Sequence, residues 1–337
     1  MNINEAAKRL NVSKRTIRFY EEKGLLSPQR GKANSYRIYT ERELWRLQTV
    51  IALREIGLGV EEIRRALGNG EGSGDDGELL RYLEIQRAHL FAAWLEYKEQ
   101  LKTTEAMIDA ARRERTLPLE RLHALADGLK RLRETRSSWK DVWDFDRRAS
   151  SHDEETAAAA GPYPHYEATL DTIHRWTRPH GDEIGLDIGT GTGNLAGRFA
   201  AGGCKMAAID QSREMLAKCR EKFPLLETKL GNAMAIPYLD GRFDFAVSSF
   251  ALHHLTDGQK LLALAEIRRV LGPRGRICIA DFMLGEEDEP LAGGESPHEG
   301  FIPPLSLLAD WLEDAGYVAK WQRLSGLVHI VYAVPIR

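Results

Sequence analysis

Residues Gly189-Thr190-Gly191-Thr192-Gly193 set three glycines at alternate positions behind an apolar run, Glu183-Ile184-Gly185-Leu186-Asp187-Ile188. Glycine turns sharply and carries no Cβ, so a loop of this spacing lets the backbone come close to a bound cofactor. Two acids accompany it. Asp187, just before the first glycine, stands where dinucleotide-binding folds usually have no acid, and there it can receive a ligand's ammonium directly or through water. Asp210 closes a second apolar run, residues 204–209, and a carboxylate at that place can take both hydroxyls of a ribose. A glycine motif alone is weak evidence, and the second acid at the expected distance strengthens it. His253-His254 follows a further apolar run. Such a pair more often caps or packs than reacts, so it is given a place in the wall of the site, and no catalytic base is assigned.

A different chemistry is written near the start. Lys14, Arg15, Thr16, Arg18 and Tyr20 crowd the early turns of a predicted helix over 14–22, with Ser13 as its cap and Ile17 and Leu25 turned inward. That polar face can lie in a major groove, with Lys14 and Arg18 reaching base edges or phosphates. Pro28, Arg30, Gly31, Lys32 and the run Tyr36-Arg37-Ile38-Tyr39 read as a hairpin-like wing able to grip phosphates.

The elements that must position these residues follow from periodicity. Ile3, Ala6, Ala7 and Leu10 mark a first helix, and Leu44, Leu47, Val50, Ile51 and Ile63 mark two packing helices. Residues 68–77, GNGEGSGDDG, have the composition of a flexible hinge. Leu80, Leu83, Leu90, Trp94, Tyr97, Leu101 and Ile108 then alternate three and four apart, a heptad-type seam that either packs on its own chain or meets a partner helix. A second helical stretch, 119–132, bridges onward. Strands over 183–188, 204–209, 243–249 and 276–282 alternate with helices over 194–201 and 266–271, the βα order of a parallel sheet.

Two resemblances sharpen this picture. "TIRFYEEKGLLSPQR...NSYRIYTERELWRLQ...REIGLGVEEI" resembles the winged helix-turn-helix of the MerR family of transcription regulators, from residue 2 to 67. The resemblance implies contacts to double-stranded DNA from Thr16, Arg18 and Tyr20, supported by Tyr36, Arg37 and Lys14. It also implies a homodimer through an antiparallel coiled coil, whose two-fold axis would match a palindromic promoter operator. Metal-sensing members carry cysteines near the end of that helix; residues 100–120 here hold none, so no metal is expected. "LDIGTGTGNLA...AIDQSREML...GNAMAIPYLDGRFDFAVSSFALHHL...EIRRVLGPRGRICIAD" is similar to the class I S-adenosylmethionine-dependent methyltransferases acting on small molecules, over roughly 144–337. Even Phe145-Asp146 through His152-Asp153 is similar to the family's FDxxAxxYD lead-in, with His152 in place of Tyr. The resemblance implies that Asp187, Gly189, Gly191 and Gly193 cradle the methionine part of S-adenosyl-L-methionine. It places Asp210 and Gln211 on the ribose, Met215 near the adenine with Asn232 and Ala233, and Phe250 beside the methyl group. Asn232 stands where many relatives have Asp. The Asn-Pro-Pro-Tyr and Pro-Cys signatures of nucleic-acid methyltransferases are absent from this sequence, which argues against DNA as the methyl acceptor. Residues 285–304 fall where relatives place an acceptor lid.

Bulk properties agree. The sequence has 337 residues, of which 43% are hydrophobic and 29% charged, enough for two cores. No apolar run reaches the roughly 20 residues of a membrane span, and a cytoplasmic location is expected. Cys204, Cys219 and Cys278 form no CxxC pair and read as buried, inert thiols. Residues 1–70 hold 14 Lys/Arg against 8 Asp/Glu, and the remainder holds 33 against 42, the layout of a chain in which only one part meets a polyanion. The expected architecture is multidomain: an N-terminal all-α winged helix-turn-helix over 1–70, a dimerisation helix and helical connector over 78–136, and a C-terminal α/β Rossmann-like methyltransferase domain over 143–337. Three functions fit: a regulator whose effector domain methylates a small molecule, a ligand-sensing regulator without turnover, and a small-molecule methyltransferase whose front only dimerises.

Overall fold

A computed structural model describes residues 1–30, 37–67, 76–114, 119–158, 162–288 and 301–336. They fall into two compact units, Met1–Leu90 and Phe91–Arg337. Tyr36, most of the hinge composition at 68–77 and the centre of the expected lid at 285–304 lie outside the described residues.

In the first unit, α1 (Ile3–Arg9) begins at Asn2, whose side chain accepts from the Asn4 and Glu5 N–H groups while Glu5 accepts from the Asn2 N–H. This reciprocal box satisfies donors that a first turn leaves open. α2 (Lys14–Glu22) starts at Ser13, which accepts from the Thr16 N–H at 3.0 Å. β1 (Gln29–Arg30) pairs antiparallel with β2 (Arg37–Ile38), the base of the expected wing. α3 (Glu41–Glu55) and α4 (Val60–Leu67) complete the unit, and Ile17, Leu25, Leu47, Val50 and Ile63 from successive elements close one core. α5 (Asp76–Glu114) is a single helix of 39 residues that begins in this unit and ends in the next.

In the second unit α6 (Leu119–Ser137) leads to two short helices, α7 (Phe145–Arg148) and α8 (His152–Ala157), and to α9 (Tyr166–Thr177). There follow β3 (Ile184–Ile188), α10 (Asn194–Ala201), β4 (Lys205–Asp210), α11 (Arg213–Lys222), β5 (Glu227–Leu230), β6 (Phe243–Ser249), α12 (Asp257–Val270), β7 (Leu271–Phe282), α13 (Leu305–Asp314), β8 (Tyr317–Ser325) and β9 (Val328–Pro335). Among the described residues seven strands form one sheet in the order β5-β4-β3-β6-β7-β9-β8. The first five run parallel, and β9 enters antiparallel between β7 and β8.

Side chains two apart on a strand share a face, and β3, β4 and β6 are buried at most positions on both faces, so both faces must be covered. Leu186, Ile188, Ile209, Ala246, Ile277 and Ile279 pack into one layer with Leu264, Ile267 and Leu308 of α12 and α13. Met206, Ala208, Phe245, Val247, Cys278 and Ala280 pack into the other with Leu170 and Ile173 of α9 and Phe199 of α10. Gly185 on β3 faces the Phe245 ring and Met206 sulfur so closely that a Cβ would overlap both. The three cysteines are buried and unpaired. The helix expected over 266–271 begins much earlier, at Asp257, and β7 begins at Leu271 rather than Arg276. Leu271 already pairs with Phe243, and the Gly272–Gly275 stretch lies within a shift of register before Arg276 pairs with Phe245.

Candidate functional site

The chain leaves β3 toward β4 and β5 on one side, then returns to β6 on the other. That reversal opens a crevice beyond the carboxyl ends of β3 and β6, the place where open α/β sheets bind ligands. A cavity of about 250 Å³ sits there, bounded by the turns after β3, β4, β5 and β6.

The glycine loop is shaped by backbone conformation and one buried acid. Gly189, Gly191 and Gly193 have φ of +68°, +54° and +88°, values that side chains with a Cβ rarely adopt. Asp187 accepts from the Thr190 hydroxyl at 2.6 Å and from the Ala196 N–H at 3.1 Å through one oxygen, tying the loop to the start of α10. Its other oxygen is buried without a hydrogen-bond partner among the described residues. Burial pushes the Asp187 carboxyl up to about 7. Asp210 accepts from the Gly191 N–H at 2.8 Å with one oxygen and from the Ser212 N–H at 2.8 Å with the other, and burial raises it to about 6. Both acids therefore stand poised at neutral pH, a state that a cation or a set of hydroxyl donors relieves.

A cover is sewn over the loop. Asp146 on α7 accepts from the Ser212 hydroxyl at 2.6 Å and the Glu214 N–H, fastening α7 to the start of α11. Asp153 on α8 accepts from Thr192, from Asn194 and from the Lys222 ammonium at 2.7 Å. Against the burial that would raise it, these donors hold the Asp153 carboxyl below the usual carboxylate range. Aromatic rings close the cavity around Phe250. That residue has a φ of +50°, and its ring lies 5.0 Å from Tyr163 and 5.8 Å from Tyr166. A non-glycine residue held there at the end of a strand is strain of the kind kept at binding sites.

The two histidines differ in role. His253 bonds Asp281 through Nδ1 at 2.7 Å and is nearly inaccessible, and Asp281 also accepts from the Leu252 and His253 N–H groups, so the pair pins the turn after β6. His254 reaches the cavity wall, and burial together with His253 drives its pKa far down, which keeps it neutral. Its Nδ1 is buried without a hydrogen-bond partner among the described residues. Lys260, wholly buried, donates to the Leu255 and Phe301 carbonyls and anchors the same wall.

Of the residues singled out by sequence, Gly189, Gly191, Asp210, Gln211, Met215, Asn232, Ala233 and Phe250 line the one cavity. Asp187 and Gly193 lie behind it, the first as the brace of the loop and the second as the cap residue of α10. The Asn232 side-chain oxygen accepts from the Met234 N–H at 3.0 Å, which orients the amide. Trp139, Tyr163 and Tyr166, which escaped sequence reasoning, also line the cavity, together with Arg148 and His152, which the sequence marked only as part of the lead-in motif. Aromatic residues in helical or irregular stretches give no signal that separates lining from core. Burial lowers the His152 pKa.

In the first unit Lys14 and Arg18 are exposed on α2, while Thr16 is half-buried and shares its hydroxyl with Ser13 at 2.8 Å. The Tyr20 ring belongs to the core. Arg37 donates to Glu21 at 2.7 Å, and Tyr39 donates to the other oxygen of the same acid, so the wing is tied to α2. Lys14 and Arg18 thus present an exposed cationic edge of α2, and Arg37 is exposed on β2.

The sheet order, the glycine turn after β3 and the acid after β4 define the second unit as a Rossmann-like methyltransferase fold. Residues 186–275 match the family described as methyltransferase domain, and residues 1–69 match the family described as MerR HTH family regulatory protein. An uncharacterized methyltransferase of Alkaliphilus oremlandii is 32% identical over 148 residues, 43% of this chain and 68% of the relative. A demethylmenaquinone methyltransferase of Renibacterium salmoninarum is 32% identical over 142 residues, 39% of this chain and 59% of the relative. Among solved structures, phosphoethanolamine N-methyltransferase 2 of Haemonchus contortus shares 16% identity over 57% of each chain at a TM-score of 0.49. The chain spans about six to seven tenths of the length of the two curated relatives. It belongs to the methyltransferases, and it carries a MerR helix-turn-helix domain ahead of the methyltransferase domain.

Proposed function

We propose that the chain is a dimeric DNA-binding regulator whose C-terminal domain binds S-adenosylmethionine and methylates a small molecule. The observation that carries the cofactor reading is the convergence of Gly189, Gly191 and Asp210 on one cavity, with the unpartnered Asp187 oxygen beneath the loop. A dinucleotide would gain nothing from that second acid, whereas an amino-acid ammonium, directly or through water, supplies the donors it lacks. Gly189 and Gly191, without side chains, then let the backbone come close to the ligand's methionine end, Asp210 and Gln211 receive the ribose, and Met215, Asn232 and Ala233 flank the adenine. Bound there, the cofactor supplies a methyl group made electrophilic by its sulfonium.

The chain's own part in transfer is positioning. Phe250, Tyr163 and Tyr166 form an aromatic wall that favours a flat, apolar acceptor and excludes water. His254 stays neutral and is too weak a base to take a proton, which suits an acceptor whose nucleophile is already unprotonated. On the DNA side, Lys14, Arg18 and Arg37, with Thr16 orienting the helix start, would meet phosphates and base edges of a promoter operator.

Calorimetric titration of the purified chain with S-adenosylmethionine, beside Asp210→Ala, tests the cofactor reading. Micromolar binding lost in the variant supports it; a wild type that takes up no cofactor refutes it.

A further inference from the structure

We propose that Trp139, which arrives from the connector rather than from the methyltransferase sheet, is a ligand-binding residue through which the helical arm registers cofactor occupancy. This rests on the cofactor reading above and adds a route out of the site. α6 ends at Ser137, two residues before Trp139, and its last turn is bolted to the rim of the cavity. Arg136 donates to the Met234 carbonyl at 3.2 Å, one residue from Ala233 and two from Asn232, both of which line the cavity. Gln259 on α12 donates to the Thr135 carbonyl and to the Ser138 hydroxyl at 3.1 Å. The Trp139 ring lines the cavity and packs on the core layer beside α12.

The polar atoms point to a ligand. The Trp139 indole N–H is buried without an acceptor among the described residues, a costly state when nothing relieves it. The buried His254 Nδ1 on the same wall is equally unpartnered. A nucleoside offers ring nitrogens and hydroxyls to groups of this kind. The segment after Trp139 continues the wall: Asp141 accepts from the Trp143, Asp144 and Phe145 N–H groups, and the Trp143 and Phe145 rings lie 4.4 and 4.9 Å from His254. The connector is thus folded onto the cavity by its own hydrogen bonds. A ligand that engages Trp139 steadies the end of α6, because the ring and the helix end are two residues apart.

The test uses the full chain and S-adenosylhomocysteine, the demethylated cofactor, as probe. Calorimetry on the wild type, Trp139→Phe and Trp139→Ala should show affinity falling in that order, by about three- to tenfold for the loss of the N–H and further for loss of the ring. Amide exchange of the wild type should slow on probe binding over residues 119–139 as well as around the glycine loop, a readout that does not depend on either variant folding. Equal affinity in wild type and Trp139→Ala, or protection that stops at the sheet and spares α6, overturns the proposal and leaves cofactor binding standing. A wild type that binds no probe removes both.

Discussion

Asp187 holds a carboxyl in a fully buried place, and burial moves it from 3.8 to about 7. A folded-state pKa raised above the unfolded one means that the native chain holds the proton more tightly. This contribution to stability is complete below about pH 4 and is lost as pH climbs to about 7. An ammonium bound near the open oxygen reverses the preference, since it favours the ionised form. Cofactor binding at pH 6 to 7 should therefore release protons, and affinity should rise with pH across the same window, with Asp210, raised to about 6, adding to the lower end. Calorimetry in two buffers of different ionisation enthalpy measures that release. In Asp187→Asn the proton count from this group should vanish, and affinity at pH 8 should drop about 10- to 100-fold, the worth of a charge-assisted hydrogen bond. Unchanged affinity in the variant would mean that the oxygen never meets the ligand's cation.

At the scale of elements, the cover over the loop is held by polar groups rather than by a core. α8 has six residues and only Thr156 among them is buried, so its position depends on what Asp153 accepts. The Lys222 ammonium reaches Asp153, Thr192 and Asn194 at once, which ties α8, the glycine loop and the end of α11 into one knot. Asp153→Ala should leave the sheet intact and loosen the cover. Amide exchange in residues 152–157 should quicken, and cofactor should bind roughly three- to tenfold more weakly, a modest effect because the ion pair is half-exposed and screened. Exchange as slow as in the wild type would show that the aromatic contacts of Tyr163 hold the cover without the knot.

At the scale of the whole chain, α5 carries the seam that sequence periodicity marked. Leu83 packs on the core of the first unit, whereas Leu80, Leu90, Tyr97 and Leu101 remain between 51% and 70% exposed along the helix. We read it as the contact with a second copy of the chain. Leu101→Glu places a charge in that seam and should shift sedimentation from dimer to monomer. Because two half-sites are then no longer bridged, binding to the chain's own promoter should weaken in step. A wild type already monomeric at micromolar concentration would remove the dimer. The chain would then be left with α2, on which Arg18→Ala should cost roughly 1–3 kcal/mol of operator binding.

Much of this was written in the residues themselves. Alternation of the glycines, the apolar runs before them and Asp210 at its spacing marked the turn between β3 and α10 and the acid that ends β4, because backbone conformation and strand period are local properties that nearby residues dictate. The helix caps Ser13 and the N-terminal polar face of α2 were legible for the same reason. What only the tertiary structure decided was which distant groups close the cavity. Trp139, Arg148 and Tyr163 meet Asp210 and Phe250 there although no periodicity links them. The fold also decided that Asp187 braces the loop from behind it, and that Tyr20 spends its ring on the core. Burial and hydrogen-bond partnership are sums over contacts between segments far apart in the chain, and a sequence pattern records only what lies along it.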